Sequence, residues 1–302
     1  MLIEKEVQRL YFIGDEWIYY KIYCGVKTTD SILTSVIKPI MNSLIERKII
    51  NKWFFIRYGD PDFHLRLRIN YNHPEGIYVV SNEVNKGLSY FLGNNFIWKI
   101  QTDTYQRELE RYGLNTINFS EQLFYHDSKM VCDFINVIEM NLLNTTIIEG
   151  ENLRWLFALR AIDSFLNTFQ MKDEDKKLFL EPIRDAFFQE FGLIGKYKRS
   201  LDKKYRIERS RIEDFLCQKN DPPPILEIIT IKEESIKEIA HEILKYRDKG
   251  LLMVNFNNLI GSHIHMMLNR LFRSKNRLHE TICYDFLFRY YKSKIARKKR
   301  TI

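Results

Sequence analysis

Residues 63–69, Phe63-His64-Leu65-Arg66-Leu67-Arg68-Ile69, alternate strictly between apolar and polar side chains. Successive side chains of a β-strand point to opposite faces, so the stretch predicts a strand with one buried, apolar face. The other face carries His64, Arg66 and Arg68, with the two guanidinium groups roughly 6–7 Å apart along the strand. Guanidinium groups stay protonated and bind carboxylates or phosphates in a fixed geometry. The stretch therefore predicts an anion-binding face, although two solvated surface arginines explain the pattern equally well.

The segments around this stretch follow the order β-α-β-β-α-β. Strands are predicted from β-branched and aromatic content at 17–24, 53–58, 63–70 and 96–104, and helices at 31–47 and 79–92. Asp30 is expected to cap the first helix, and Pro39 to kink it or mark its start. A turn at 59–62 makes the second and third strands a hairpin. This order is that of a ferredoxin-like split β-α-β unit, with two helices on one face of an antiparallel sheet.

The sequence after Gly113 is predicted to be helical. Helices are expected at 120–146, 151–170, 174–191, 206–218, 226–248, 254–273 and 279–292, with a break at 221–224, Asp-Pro-Pro-Pro. The fold class is therefore α+β, an N-terminal ferredoxin-like antiparallel sheet packed against a larger helical region. Since no flexible linker separates the two parts, we expect a single domain over 1–302, with a sheet-containing part at 1–113 and a helical part at 114–302.

Composition narrows the class of protein. The 302 residues carry a net charge of +8, which favours an anionic partner such as nucleic acid, an acidic peptide or a carboxylate substrate. The four cysteines are far apart, so we expect reduced thiols and a cytoplasmic location. Neither a metal-binding motif nor a nucleotide-binding glycine motif is present, so we expect no metal and no cofactor. The sequence also lacks the pattern of a signal peptide and a stretch long enough to span a membrane.

Two further clusters of polar residues could carry chemistry. Glu108 and Arg111 lie three residues apart after the fourth strand, in the arrangement of an ordinary salt-bridged helical turn. His265 and Asn269 lie on one face of a predicted helix, where the asparagine could hydrogen-bond the imidazole and fix its tautomer. By itself, the second cluster is better explained by a partly buried structural histidine with a satisfied partner.

Taken together, five ordered motifs resemble one family. They are Trp-x-Tyr-x-Lys-x-Tyr (17–23), Phe-Ile-Arg-Tyr-x-Asp-Pro-x-x-His-Leu-Arg-Leu-Arg (55–68), Glu-x-x-Arg-Tyr-Gly (108–113), Glu-x-x-Phe-x-x-Asp-Ser (121–128) and His-Met-x-x-Asn-Arg-Leu (265–271). The sequence resembles the C-terminal glutamate-elimination domain of class I lanthipeptide dehydratases, also called the thiopeptide-type bacteriocin biosynthesis domain. The resemblance covers most of the chain, in the form of the stand-alone half of a split dehydratase.

The resemblance implies a lyase that acts on a ribosomally made precursor peptide. A separate glutamylation protein would use glutamyl-tRNA to esterify Ser and Thr, and this chain would eliminate glutamate to leave dehydroalanine or dehydrobutyrine. It implies no direct tRNA binding. We also expect no membrane span, and a homodimer stays open.

The resemblance also implies roles for individual residues. Arg66, Arg68 and Arg111 would hold the glutamyl carboxylates, His265 would be the acid/base, and Glu108 would orient Arg111 or transfer a proton. Further substrate-binding residues are expected at four positions: His64, Tyr112, Asn269 and Arg270.

Two other functions stay open at this point. A second branch of the family consists of thiopeptide pyridine synthases, which join two dehydroalanines by a formal [4+2] cycloaddition and release the leader peptide. A non-catalytic subunit that binds the leader peptide is the other alternative. The intact arginine motif and His265 favour elimination.

Overall fold

The computed structural model describes residues 7–141, 147–193, 195–217 and 223–299. The chain divides into two compact units, one within 1–136 and 242–274 and the other within 137–241 and 275–302. The first unit contains all the strands of the described residues and the helices that pack on them. The second is helical.

A four-stranded antiparallel sheet forms the centre of the first unit. Its strands are β2 (Trp17–Cys24), β3 (Ile50–Tyr58), β4 (His64–Tyr71) and β5 (Ile97–Thr102), in the spatial order β3-β4-β2-β5. Strand β4 lies between β2 and β3 and pairs antiparallel with both, which splits the β-α-β unit. The predicted α+β class and the split β-α-β order are therefore confirmed.

Helices cover both faces of this sheet. On the face of Leu67 and its neighbour Tyr20, the Tyr20 hydroxyl lies 2.9 Å from Ser81 Oγ in helix α3 (Gly76–Gly93). On the opposite face, Phe54 packs against Phe124 of helix α5 (Ile117–Asn141), with ring centroids 5.3 Å apart. Because both faces are covered, a polar side chain on this sheet needs a partner or a cavity.

The first helical segment differs from the prediction of a capped helix at 31–47. Helix α1 (Val26–Ile32) begins earlier, continues as a π-helical turn (Leu33–Ile37) and ends as α2 (Lys38–Glu46). Pro39, which lacks an N–H, is the second residue of α2, directly after the π turn. The predicted cap at Asp30 is wrong. This carboxylate is fully buried inside α1, where it forms ion pairs of 2.6 Å with Arg57 and Arg273.

A second, two-stranded sheet was not predicted. Strand β1 (Leu10–Tyr11) pairs antiparallel with β6 (Tyr105–Gln106), in register Leu10↔Gln106 and Tyr11↔Tyr105. The predicted fourth strand at 96–104 is therefore shorter, and the chain turns at Asp103 into β6. This turn places Tyr105 beside the polar face of β4, and the short helix α4 (Leu109–Tyr112) follows it.

The remaining helices agree with the predicted ones apart from their ends. They are α6 (Ile147–Thr168), α7 (Asp173–Glu190), α8 (Lys196–Leu216), α9 (Pro223–Asp248), α10 (Phe256–Leu271) and α11 (Asn276–Lys298). Helix α8 begins at Lys196, well before the predicted 206. The predicted end of α5 at 142–146 and part of the predicted break at 221–224 lie outside the described residues. None of the helices that the structure describes is long and apolar enough to cross a membrane.

Candidate functional site

The polar and apolar faces of β4 are separated as the alternation predicts. Leu65 and Leu67 are fully buried, whereas Arg66 and Arg68 are half-buried on the other face. The register with β2 pairs Lys21 with Arg66 and Tyr19 with Arg68, so these β2 side chains lie beside the arginines. The pairing register of two strands thus assembles a basic, aromatic surface around the two guanidinium groups.

His64 orients Arg66. The Nε of Arg66 donates a hydrogen bond to His64 Nε2 at 3.1 Å, so this nitrogen carries no proton, and Nδ1 donates to the Asp62 carbonyl oxygen at 2.8 Å. Burial lowers the pKa of His64, and the nearby positive charge of Arg66 acts in the same direction. The guanidinium carbon of Arg66 lies 3.4 Å from the centre of the Tyr58 ring. Neutral His64 therefore holds Arg66 in one geometry against an aromatic ring.

Arg68 is enclosed by three aromatic rings. Its guanidinium carbon lies 4.4 Å from the ring centre of Tyr19, 5.0 Å from Tyr105 and 5.5 Å from Phe54. Such cation–π contacts restrict the side chain without neutralising its charge. The Nε atom of Arg68 is buried and has no hydrogen-bond partner among the described residues.

Both arginines line a cavity of about 300 Å³, called here the outer cavity. Its lining is Arg9, Tyr19, Lys21, Arg66, Arg68, Asp103, Thr104, Gln106, Arg107, Glu108 and Glu110. Arg9 pairs with Glu110, and Lys21 pairs with Asp103. Within the described parts of the chain, Arg66 and Arg68 form no ion pair with a carboxylate. The outer cavity therefore presents to a ligand two guanidinium groups outside any ion pair, in a lining that also includes the carboxylates of Asp103, Glu108 and Glu110.

A smaller cavity of about 40 Å³, called the inner cavity, is also lined by Arg68. Its lining is Phe54, Ile56, Arg68, Tyr105, Gln106, Glu108, Tyr112, Ile117, Phe124, Met266 and Arg270. Arg68, Gln106 and Glu108 line both cavities. The inner cavity has room for a small chemical group only, and four of its eleven lining residues are aromatic.

Arg270 forms part of the wall of the inner cavity. It is fully buried, its Nε donates to Ser128 Oγ at 3.2 Å, and its Nη1 donates to the Met266 carbonyl oxygen at 2.8 Å. Burial lowers its pKa to about 10, against the opposing effect of the Asp127 charge. Its Nη2 is buried without a hydrogen-bond partner in the described structure. Arg270 thus offers a second unused guanidinium nitrogen at this cavity.

The short helix α4 carries three of the predicted site residues. Glu108 directly precedes the helix, and Arg111 and Tyr112 lie within it. Glu108 and Arg111 are exposed and form an ion pair of 3.1 Å, which agrees with their spacing in sequence. Tyr112 is buried against Phe124, with ring centroids 5.0 Å apart, and burial raises its pKa. Arg111 is not in the lining of either cavity and is linked to both through Glu108.

Comparison with known proteins identifies the family. The family model described as "Lantibiotic biosynthesis dehydratase C-term" matches residues 17–291. The chain belongs to this family.

Individual relatives agree with the family match. The subtilin biosynthesis protein SpaB of Bacillus subtilis is 27% identical over 279 residues, which is 91% of this chain and 26% of SpaB. The tRNA-dependent lantibiotic dehydratase MibB from Microbispora sp. 107891 has a similar structure, with a TM-score of 0.71 and 19% identity over 95% of this chain and 29% of MibB. The pyridine synthase TbtD from thiomuracin biosynthesis also has a similar structure, with a TM-score of 0.64 and 10% identity over 92% of this chain and 99% of TbtD. The chain thus spans about a quarter of the length of SpaB, and the structural likenesses establish a shared fold.

The family motif on α10 places its residues in two different settings. His265 is half-buried one residue before Met266 of the inner cavity, and it is not in the lining of either cavity. Asn269 accepts a hydrogen bond from the Arg57 backbone N–H at 2.9 Å and donates one to the Arg57 carbonyl oxygen at 3.0 Å. These two bonds join α10 to the edge strand β3. The predicted contact between Asn269 and His265 stays a prediction.

Several residues of the site were not predicted individually. Tyr19 and Tyr105 enclose Arg68, and the buried Glu121 holds Arg107 through bonds of 2.7 and 2.8 Å and accepts a bond from the Tyr105 hydroxyl at 2.9 Å. Tyr19 is part of the motif Trp-x-Tyr-x-Lys-x-Tyr in β2, whose residues share one face of the strand with Lys21. Glu121 lies in helix α5, and the sequence around it does not indicate that this carboxylate is buried.

Metal ligands are a separate question. No group of three His, Cys, Asp or Glu side chains in the described ranges could hold a metal ion, and the four cysteines are free thiols.

Proposed function

We propose that this chain eliminates glutamate from glutamylated Ser and Thr residues of a ribosomally made precursor peptide. The observation that carries the proposal is the pair of guanidinium groups of Arg66 and Arg68 at the outer cavity, neither of which forms an ion pair with a described carboxylate. Membership of the dehydratase C-terminal family supports the same conclusion. The product is dehydroalanine from Ser or dehydrobutyrine from Thr.

The chemistry requires positive charge at two places. A base removes the Cα proton of the esterified residue, the Cβ–O bond breaks, its electrons leave with the glutamate carboxylate, and a Cα=Cβ double bond forms. Negative charge develops on the peptide carbonyl oxygen and on the departing carboxylate. Fixed guanidinium groups in a partly buried cavity stabilise such charge without reorganising. Their rigid aromatic surroundings support Arg66 and Arg68 in this role.

The other residues take roles that follow from their positions. Glu108 sits between the two cavities, where it can accept a proton or orient Arg111 toward the substrate. His265 is the proposed acid/base, on the strength of the motif. Tyr112 and Arg270 line the inner cavity and bind the end of the glutamyl group there.

Two motif residues act indirectly in this proposal. His64 positions Arg66, and Asn269 positions α10 against β3. The ester would be made by a separate glutamylation protein, so no tRNA contact is assigned to these residues.

The direct test is incubation of the purified chain with precursor peptide that carries glutamyl esters, followed by mass spectrometry. We expect loss of glutamate and the formation of dehydrated residues. His265→Ala should leave the esters in place, since removing a general acid/base lowers rates by about 10²–10⁴-fold.

Two results would replace the proposal. If the chain instead converted a dehydrated linear peptide into a product with a pyridine ring and released the leader, it would be assigned as a pyridine synthase. The structural likeness to the pyridine synthase TbtD covers 99% of TbtD. Binding of the leader without any change in peptide mass would assign a non-catalytic subunit.

A further inference from the structure

Strand β5 is the open edge of the main sheet. On one side it pairs with β2, in register Lys21↔Gln101 and Tyr23↔Lys99, and the Asp103 N–H donates to the Tyr19 carbonyl oxygen at 3.0 Å. Hydrogen-bonded and non-hydrogen-bonded pairs alternate in an antiparallel ladder. The backbone groups of Ile100 and Thr102 therefore point away from β2. In the described part of the chain, no other strand pairs with this side.

An aromatic surface flanks this edge. Trp98 is 56% exposed, at the place where the register between β2 and β5 shifts, and Phe96 is 45% exposed. The Phe96 ring lies 6.3 Å from both Tyr90 and Phe91, and Tyr90 is 64% exposed. Natural proteins normally protect open edges with charges, proline or a covering segment. An open edge beside large exposed aromatic residues is suited to a binding surface.

The edge also leads to the site. Asp103 and Thr104 directly follow β5, and both line the outer cavity together with Arg66 and Arg68. Six residues of strand extend about 20 Å. A chain that runs along β5 would therefore reach the outer cavity at the end of the strand.

We propose that the outer edge of β5 binds an extended segment of the precursor peptide as an added β-strand. The identity of this peptide rests on the proposed function. Strand addition uses backbone hydrogen bonds for affinity, while side chains at alternate positions give selectivity. The complementary segment is therefore extended, with apolar residues spaced to contact Phe96 and Trp98.

This binding mode fits a substrate with several Ser and Thr residues. Backbone hydrogen bonds do not depend on side-chain identity, so a bound strand can shift its register along the edge. Successive esterified residues can then enter the outer cavity while the peptide stays bound to β5.

Trp98 gives a direct reporter for the test. The other three tryptophans, Trp17, Trp53 and Trp155, are buried, so acrylamide quenching of the intrinsic fluorescence reports mainly on Trp98. Unmodified precursor peptide should protect this fluorescence from acrylamide in a saturable way. Trp98→Phe should abolish the protection signal, while a fluorescently labelled peptide still binds by polarisation.

A pair of variants tests the strand itself. Thr102→Pro removes an outward N–H and leaves the ladder with β2 intact, because the Thr102 N–H does not point toward β2. We expect peptide binding to weaken on the order of tenfold, as for the loss of one hydrogen bond of about 1.4 kcal/mol. Thr102→Val keeps the N–H and should bind like the original chain.

The proposal is overturned if the peptide binds without protecting Trp98, or if Thr102→Pro and Thr102→Val bind it equally. Protection that rises with protein concentration in the absence of peptide would also overturn it, in favour of a second copy on the same edge. Because the peptide in these assays carries no ester, the result does not depend on elimination. Failure of this proposal and failure of the proposed function can therefore be told apart.

Discussion

Arginines on opposite faces of one sheet have very different surroundings. Arg57 of β3 is buried, donates from Nη2 to Asp30 Oδ1 at 2.6 Å, and donates from Nε to the Arg270 carbonyl oxygen at 2.9 Å. On the neighbouring strand β4, Arg66 and Arg68 are half-buried against aromatic rings and face a cavity. Neither has a carboxylate partner in the part of the chain that the structure describes.

Under the proposed function, the difference separates a structural charge from a functional one. A buried charge without a partner is unfavourable, so Arg57 is retained together with Asp30. Arg66 and Arg68 keep their charge in a partly buried cavity without such compensation. Aromatic rings and His64 hold these side chains in place, and an anionic ligand would supply the ionic partner that they lack. Charge compensation therefore distinguishes the two kinds of arginine better than burial does.

The largest effect on stability is expected when the buried ion pair of Arg57 and Asp30 is broken. Asp30→Ala leaves Arg57 buried without its carboxylate and removes the partner of Arg273 as well. Removing one member of a buried ion pair typically destabilises a protein by about 3–5 kcal/mol. Denaturant unfolding followed by circular dichroism should show this loss in the free energy of unfolding.

An exposed ion pair of the same unit provides the control. Glu83 pairs with Arg47 at 2.7 Å on the surface. Glu83→Ala should change the free energy of unfolding by no more than about 1 kcal/mol. If the two variants were equally stable, the ion pair of Arg57 would not matter for folding. The presence of a carboxylate partner would then not distinguish Arg57 from Arg66 and Arg68.

The second effect should appear in catalysis rather than stability. Arg66→Gln removes a charge that forms no ion pair with a described carboxylate and keeps a side chain of similar length. Losing one preorganised donor to a developing negative charge lowers rates by about 10²–10³-fold. The rate of glutamate release, measured by mass spectrometry at saturating peptide, should fall by this amount while the free energy of unfolding changes little.

The neighbouring position on the same strand should respond in the opposite way. Leu67 is fully buried, so Leu67→Ala should destabilise by about 2–5 kcal/mol and leave the rate per folded molecule unchanged. Unfolding by Arg66→Gln together with a silent Leu67→Ala would mean that the two faces of β4 have been exchanged.

The parts of the fold that local patterns determine were predictable. The two-residue period of β4 assigned Leu65 and Leu67 to one face and the arginines to the other, and the order of strands and helices gave the split β-α-β sheet. The turn at 59–62 gave the hairpin of β3 and β4. In each case a short stretch of sequence contains the whole signal.

Features that depend on distant contacts were not predictable. Asp30 has the residue type of a helix cap, but a contact with Arg57 twenty-seven positions away places it inside α1. Strands β1 and β6 are two residues each and are stabilised by each other across the unit. Helix α8 begins among closely spaced lysines and arginines, where few apolar residues mark a helical period. The neighbours of Arg68 follow from strand register, which a single sequence does not give.

The smallest effect concerns pH and tests how Arg66 is held. Burial and the charge of Arg66 lower the pKa of His64 below its ordinary value of 6.5. Between 6.5 and the lowered value, the unfolded chain binds a proton at this imidazole and the folded chain does not. The free energy of unfolding should therefore fall as the pH drops below about 6.5, by at most about 1.4 kcal/mol per pH unit from this group. Above pH 6.5, His64 should add no pH dependence to the free energy of unfolding.

His64→Gln separates this contribution from that of other groups. Glutamine can still accept a hydrogen bond from Arg66 Nε and does not titrate. Half-buried His279, whose pKa is also lowered by burial, contributes equally to both proteins. The original chain should thus lose more stability than the variant below pH 6.5, in denaturant titrations at closely spaced pH values. Protonated His64 could no longer accept the bond from Arg66, so elimination by the folded chain should decline only as the pH falls through the lowered pKa of His64, and it should persist in the variant. Identical pH profiles for both proteins would show that His64 does not orient Arg66 through its unprotonated Nε2.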